Sequence, residues 1–239
     1  MKITAEQSEL ICSLNDIFKT SDEISTILDI PKSAIIKHLK NLKRKLITTK
    51  NFYNVQIKHD YFSCIDSPEK AYLLGVLASD GNISANMIRL RIHPKDIEMI
   101  HFMAKEINYL KEPRINKTSY GTLEAGLSIR STLMKEDLFK LGFSHNKTYS
   151  DLFIPLSEEL TRFYLLGLFD GDGSVFYTMV TTRTEHRFGE TREKYRFSYT
   201  GNTITGTKIG DYLKTKGLDL KMYPLKKNPK ICSLQVSRN

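Results

Sequence analysis

YLLGLFDGDG, from Tyr164 to Gly173, and YLLGVLASDG, from Tyr72 to Gly81, are two copies of one pattern in this chain. Each copy is an almost uninterrupted apolar run that ends in Asp-Gly. A helix without a polar face must be buried on all sides, so we expect both segments to form core helices. Two copies of one element indicate a duplicated unit and predict a monomer that acts as a pseudo-dimer.

Small residues recur four apart in both copies, as Gly75 and Ser79 in the first and Gly167 and Gly171 in the second. One stripe of each helix therefore lacks bulky side chains, and two such stripes can pack backbone against backbone. If the helices cross at a pseudo-twofold axis, the two motif aspartates emerge together at one end.

These two aspartates, Asp80 and Asp172, would lie at helix C-termini, where the helix dipole favours a cation. Gly81 and Gly173 let the chain turn away from them. Paired carboxylates suit a hard divalent ion, so we expect Mg²⁺, with Mn²⁺ as a substitute, and metal-assisted phosphodiester hydrolysis. A single copy would be better explained by helix packing and a turn. Two copies with the same internal spacing favour a functional pair.

The two motifs resemble the LAGLIDADG homing endonucleases, in the form in which one chain carries both motifs. The resemblance covers residues 67–239 and departs from the usual motif at Ala78 and Ser79. It implies an α+β fold in which duplicated αββαββα-type units form a pseudo-twofold, DNA-binding saddle. It also implies a staggered double-strand cut across the minor groove that leaves 3′ overhangs, with Asp80 and Asp172 as catalytic and metal-binding residues.

The resemblance further implies a basic residue near each site. Lys95 occupies the expected position in the first unit, at the start of a helix. The second unit has Asn202-Thr203 at that position, which leaves Lys194 and Arg196 as possible substitutes.

The N-terminal residues 1–50 predict a small all-α domain of three helices, the third running from Pro31 to about Lys45. Their proportions are those of a helix-turn-helix, in which the residues outside the apolar stripe of the third helix would face DNA. Those residues are Lys32, Ser33, Lys37 and Asn41. The alternative is a three-helix bundle whose lysines are only solvated.

A linker at 51–66 is expected to separate this domain from the first unit (67–150) and the second unit (151–239). In both units, strands alternate apolar and polar residues, which predicts one buried and one free sheet face. Basic residues on the free faces would contact phosphates: Arg89, Arg91, Lys117, Arg192, Lys194 and Arg196. Gln235–Asn239 matches Leu127–Ser131, after which the first unit continues into a helix, so we expect the second unit to lack its last helix.

A net charge of +9 and a pI near 9.3 indicate a polyanionic partner, here double-stranded DNA. Ile30–His59 contains eight Lys or Arg and no acid, and Val175–Asn239 contains thirteen basic and five acidic residues. Three scattered cysteines without a Cys-x-x-Cys pair favour reduced thiols. We therefore expect a cytoplasmic or otherwise intracellular protein, an organellar matrix included, with no membrane partner.

Other nuclease classes are poorly supported, since the six histidines form no HNH or His-Cys arrangement and no GIY-YIG pair occurs. The termini lack the residues of a splicing intein, so a free-standing or intron-encoded gene is expected. The main alternative is a DNA-binding regulator or intron-splicing maturase that kept this scaffold and lost cleavage. Because such proteins commonly lose a motif acid and both are present here, cleavage is the preferred interpretation.

Overall fold

The computed structural model describes residues 3–48, 56–84, 87–181, 189 and 191–237 of the 239-residue chain. The chain divides into two compact units. One contains Met1–Lys58 with His101–Pro113, and the other contains His59–Ile100 with Arg114–Asn239. Part of the predicted linker therefore belongs to the N-terminal unit, where Lys58 N donates to Ile107 O at 2.9 Å and Asn108 Nδ2 donates to Gln56 O at 2.8 Å.

The N-terminal unit begins with three helices: α1 (Ala5–Asp16), α2 (Ser21–Leu28) and α3 (Lys32–Asn41). Thr4 and Thr20 form capping boxes at the starts of α1 and α2, which satisfy backbone donors that the helices leave free. One apolar cluster joins the three helices and consists of Ile11, Ile24, Ile30, Ile35 and Leu39. The predicted three-helix arrangement is therefore present.

The third helix is shorter than the sequence predicts, because it ends at Asn41 rather than near Lys45. Lys43 takes a left-handed φ of 54°, its N–H donates to Lys40 O, and Arg44 N donates to Leu39 O. This pair of hydrogen bonds is a Schellman motif, which usually has glycine at the left-handed position. Because lysine takes the place of that glycine, the sequence carried no signal for the end of α3.

The larger compact unit, His59–Ile100 with Arg114–Asn239, contains both copies of the repeat. Its first half has α4 (Pro68–Ser79), β1 (Gly81–Ser84), β2 (Met87–Ile92), α5 (Ile97–Glu106, whose end lies in the N-terminal unit), β3 (Arg114–Lys117), β4 (Leu123–Ile129) and α6 (Thr132–Lys140). Its second half has α7 (Glu158–Asp172), β5 (Gly173–Thr181), β6 (Thr191–Asn202), α8 (Thr203–Thr215), β7 (Lys221–Leu225) and β8 (Asn228–Ser237). Both sheets are antiparallel, in the orders β1-β2-β4-β3 and β5-β6-β8-β7. The predicted duplicated α+β fold is confirmed.

The two sheets have the same register relative to their motif helices. Gly81 pairs with Leu90, and Gly173 pairs with Tyr199, so Leu90 and Tyr199 are equivalent positions. Leu127 and Leu234 pair with them from the next strands. All four of these apolar side chains are buried, which defines the core face of each sheet.

In the residues that the structure describes, no helix follows β8. None of the described helices is both long and apolar enough to cross a membrane.

Candidate active site

The motif helices α4 and α7 pack directly against each other through their glycines. A Cβ atom on Gly75 would lie 2.1 Å from the backbone O of Tyr164, and one on Gly167 would lie 2.1 Å from the backbone O of Tyr72. Because Gly75 and Tyr72 match Gly167 and Tyr164 in the repeat, the two contacts are equivalent under a twofold rotation. The predicted pseudo-twofold crossing, with small residues at its centre, is what the structure shows.

Ser79 and Gly171, the second small residues of the two motif helices, lie at the end of the helix crossing, next to the carboxylate of Asp80. A Cβ atom on Gly171 would lie 2.1 Å from Ser79 Oγ and 2.2 Å from Asp80 Oδ2. Asp80 is the C-cap residue of α4, and Asp172 is the last residue of α7. The structure therefore brings the two predicted carboxylates together at matching helix C-termini.

The strands β1 and β5 begin immediately after these aspartates, although we expected turns. A Cβ atom on Gly81 would lie 2.4 Å from Leu77 O, and one on Gly173 would lie 2.3 Å from Phe169 O. Neither glycine has a positive φ, so both are needed for close approach to the preceding helical turn rather than for a left-handed backbone.

Lys147 is the basic residue that the structure places at the acids, and it is not among the residues that the sequence predicted for the site. Its Nζ donates to Leu77 O at 3.4 Å, to Ala78 O at 2.9 Å and to Ser79 O. A cation that binds the last carbonyls of a helix satisfies them and complements the dipole. Lys147 lies in the connection between the two halves of the repeat, where no periodicity marks it.

The charges of the three side chains influence one another. Burial lowers the pKa of the Lys147 ammonium to about 8, against the opposing effect of Asp172 and Asp80. Burial raises the pKa of Asp80, partly offset by Lys147. Asp172 is exposed as a whole residue, but partial desolvation by neighbouring protein atoms raises the pKa of its carboxylate to about 6. Lys147 opposes this shift and Asp80 adds to it.

A cleft of about 480 Å³ opens beside Asp80. Its polar lining includes His93, Asp96 and Asp170, and Asp170 accepts a 2.8 Å hydrogen bond from the Tyr72 hydroxyl. The position equivalent to Asp170 in the first motif is Ala78. The surroundings of the two catalytic candidates are therefore not symmetric, although the helix crossing is.

Lys95, the basic residue expected at the first site, is not among the residues that line this cleft. It lies in a 3₁₀ turn, Pro94–Asp96, with an exposed side chain, and its backbone N donates to His93 Nδ1 at 3.2 Å. Lys147, rather than Lys95, is the cation that acts on both carboxylates.

The basic strand residues fall on two different faces of the first sheet. Arg89 and Arg91 pair with Ser128 and Gly126 on the face opposite to the core. Lys117 pairs with Leu123, so it lies on the face of Ala125 and Ile92 instead. The prediction that Lys117 shares the face of the two arginines is wrong, because the alternation of β3 has the opposite phase, and Arg114 takes that place.

Individual contacts of these arginines differ. Arg89 Nε lies 3.2 Å from Met87 Sδ, and Arg91 is 3.7 Å from Glu124 Oε2 in an exposed ion pair. In the second sheet, the guanidinium of Arg196 lies 5.4 Å from the ring centre of Phe176, its partner across the β5-β6 ladder. Arg192 and Lys194 belong to β6, but their side chains are outside the described part of the chain.

The four residues predicted to face DNA from α3 are all exposed: Lys32, Ser33, Lys37 and Asn41. Lys32 forms a 2.8 Å ion pair with Asp22 of α2, which competes with any other anionic partner. Asp29, with a left-handed φ of 51°, ends α2 and starts the three-residue turn into α3. The helices have the connectivity of a helix-turn-helix, and their use in DNA binding stays a prediction.

Fold and site together define a class of protein: a duplicated α+β fold whose two motif helices cross through glycines and present paired carboxylates beside a half-buried lysine. No family model matches the sequence, and no curated protein matches it either.

Solved structures do match. The chain is similar to the I-LtrWI LAGLIDADG homing endonuclease bound to target DNA, with 12% identity, coverage of 75% of this chain and 79% of that chain, and a TM-score of 0.46. It is also similar to the I-SmaMI LAGLIDADG homing endonuclease bound to cleaved DNA, with 14% identity, coverage of 72% and 78%, and a TM-score of 0.46. The family that the two motifs resemble in sequence is thus also the family of these structures.

Proposed function

We propose that the protein is a site-specific endonuclease that cuts both strands of double-stranded DNA by metal-dependent phosphodiester hydrolysis. The observation that supports this proposal best is the pair of carboxylates, Asp80 and Asp172, at the joined C-termini of α4 and α7. Each half of the repeat contributes one acid, so each DNA strand would have one carboxylate beside its scissile phosphate. Strand-resolved cleavage assays on the wild type and on variants of the two aspartates test the proposal.

The carboxylate oxygens of Asp80 and Asp172 suit Mg²⁺, and they suit Mn²⁺ as well because it also binds oxygen ligands. Mg²⁺ is usually held by one or two carboxylates, water and substrate phosphates, rather than by a complete protein cage. Within the described ranges there is no cluster of three or more His, Cys, Asp or Glu side chains that could hold a metal ion. Asp80 and Asp172 would hold the metal, which would polarise the scissile phosphate and lower the pKa of attacking water.

Lys147 has a role of its own in this proposal. Its charge opposes the rise in the pKa of both carboxylates, so it keeps more of them ionised near neutral pH. Because burial lowers its own pKa to about 8, part of its population is neutral under the same conditions. Lys147 can therefore stabilise negative charge on a phosphate or accept a proton at Nζ.

The sheet faces opposite to the core would contact the DNA backbone. The first sheet offers Arg89, Arg91 and Arg114 on this face, and the second offers Arg196 on the corresponding face of β6. Arginine fits phosphate oxygens through paired hydrogen bonds, which position the duplex over the carboxylates.

Divalent cations are expected to stabilise the protein more at about pH 7.5 than at about pH 5. Burial raises the folded-state pKa of Asp172 to about 6, above its unfolded value, so ionising it lowers the free energy of unfolding as the pH rises to about 6. A bound cation requires the ionised form and offsets that loss. The increase in Tm caused by Mg²⁺ should therefore grow across this pH range.

The matched control for this measurement is Asp211→Asn, which makes the same chemical change at an exposed position of α8. It should keep the cation-dependent increase in Tm, whereas Asp172→Asn should lose most of it. An equal increase at both pH values in the wild type would contradict cation binding at these carboxylates.

The N-terminal helices are proposed to add DNA contacts through α3. Lys37→Ala should weaken binding similarly for all sequences and reduce the slope of log affinity against log salt by about 1, because one phosphate contact releases about one counterion. The control is Lys19→Ala, since Lys19 already pairs with Glu23 at 3.1 Å. Salt-dependent titrations that give the same slope for Lys37→Ala and the wild type would exclude this contact.

A further inference from the structure

The outer face of the first sheet, opposite to its core, carries an acidic side chain among three arginines. Gly126 of β4 pairs with Arg91 on one side and with Arg114 on the other, and Glu124 lies two residues away on the same strand and the same face. Of the described residues on this face, Glu124 is the only acid. Because β4 lies between β2 and β3, Glu124 does not protect an exposed sheet edge.

Gly126 and Arg91 set the position of the Glu124 carboxylate. A Cβ atom on Gly126 would lie 2.7 Å from Leu90 O and 3.1 Å from Arg91 Cγ, so the stem of Arg91 lies against the bare backbone of Gly126. The Nη1 atom of Arg91 lies 3.7 Å from Glu124 Oε2, and the two side chains are 58% and 39% exposed. This distance is longer than a hydrogen bond, so the carboxylate oxygens keep the capacity to accept hydrogen bonds from a ligand.

Neither stability nor binding to the DNA backbone explains an acid at this place. An exposed ion pair of this kind contributes little to the free energy of unfolding. On a face that meets DNA, a carboxylate repels the phosphates and weakens binding to every sequence. Such a group raises specificity if it makes a favourable contact with one base, because specificity is a difference between affinities.

We propose that Glu124 is a specificity-determining residue that accepts a hydrogen bond from the N4 amino group of a cytosine in the major groove. This inference rests on the proposed binding of DNA by the outer face of the sheet. An ionised carboxylate can only accept hydrogen bonds, and cytosine N4 and adenine N6 are the donors that bases present in the major groove. Adenine also presents the acceptor N7 beside N6, which repels a carboxylate, so cytosine is preferred.

The preference for cytosine is expected in one half of the DNA target only. Leu127 and Leu234 are equivalent in the two sheets, so Ile231 takes the place of Glu124 in the second sheet. An isoleucine side chain cannot accept a hydrogen bond. The target should therefore contain a cytosine position without a counterpart in the other half-site.

Selection from a randomised library of double-stranded DNA tests this proposal, with the full chain and without Mg²⁺ so that cutting removes no DNA. The wild type should select cytosine at the position that Glu124 contacts. Glu124→Ala should reduce this preference by roughly tenfold or more, keep the other selected positions, and bind unselected DNA as well as the wild type or better. Glu124→Gln should select adenine instead, because an amide accepts from N6 and donates to N7.

Glu136→Gln is the matched control, because Glu136 is exposed on α6, outside the sheet. It should select the same sequences as the wild type. Identical selected sequences for the wild type and Glu124→Ala would overturn the proposal and leave site-specific cleavage in place. Equal loss of affinity for all sequences in Glu124→Ala would also overturn it, since Glu124 would then only orient Arg91 towards a phosphate. Selection of the cytosine by a wild type that cuts no DNA would support this inference and contradict the proposed nuclease, whereas a wild type that selects no sequence would contradict both.

Discussion

Replacing either Asp80 or Asp172 by asparagine is expected to abolish the cutting of both DNA strands while DNA binding is kept. The substitution is nearly isosteric, so the helix crossing should survive. It removes one of two carboxylates from a shared site, and losing several kcal/mol of metal-dependent stabilisation corresponds to a rate decrease of roughly a thousandfold or more. Binding should be unchanged or stronger, because less negative charge faces the phosphates.

The structure favours loss of both cuts over selective nicking. Gly171 of one helix lies directly against the carboxylate of Asp80 from the other, and the charge of Lys147 acts on both aspartates. If both carboxylates bind a shared metal ion, the remaining aspartate cannot take the place of the one that was replaced. If each acid served only its own strand, each variant would instead nick the opposite strand.

The assay follows both strands of DNA from the genomic neighbourhood of the gene, in the presence of Mg²⁺, with gel-shift binding measured in parallel. Asp211→Asn should cut as the wild type does. Full double-strand cutting by both site variants would refute the assignment of the acids. Tight binding by the wild type without any cutting of native-locus DNA would favour a DNA-binding regulator on the same scaffold.

The second large effect concerns stability, because Gly75→Ala and Gly167→Ala should each destabilise the protein by about 3 kcal/mol or more. In each variant the new Cβ would lie 2.1 Å from a backbone oxygen of the other motif helix, so no side-chain rotation can relieve the clash. The helices would have to move apart, which would also disturb the carboxylate pair. Urea unfolding followed by circular dichroism measures the loss.

Gly210→Ala is the matched control, since Gly210 also lies within a helix, α8, but its added Cβ would meet only Leu234 Cδ2 at an ordinary 3.8 Å. It should raise the free energy of unfolding by up to about 1 kcal/mol, the usual gain of alanine over glycine in a helix. The double variant Gly75→Ala with Gly167→Ala should cost less than the sum of the single changes, because one separation of the helices relieves both clashes. Wild-type stability of either single variant would contradict the close crossing.

Much of the fold could be read from local patterns. The repeated motifs predicted the two halves, the buried helix pair and its small residues, and the alternation of apolar residues predicted most strands. The αββαββα order implied a strand after each motif helix, but the motif glycines indicated only that the chain turns away, so no local pattern predicted that β1 and β5 begin at these glycines. The early end of α3 was missed because a lysine, rather than a glycine, takes the left-handed position.

The sequence by itself determined the duplicated α+β fold, the two acids and their matching positions, because a repeat and a periodicity are properties of neighbouring residues. Only the tertiary structure decided which cation joins the acids and which face of the sheet Lys117 occupies. Lys147 meets Ser79 across 68 positions of sequence, and the face of Lys117 depends on its pairing with Leu123. Such contacts arise from packing between distant segments, and no local pattern encodes them.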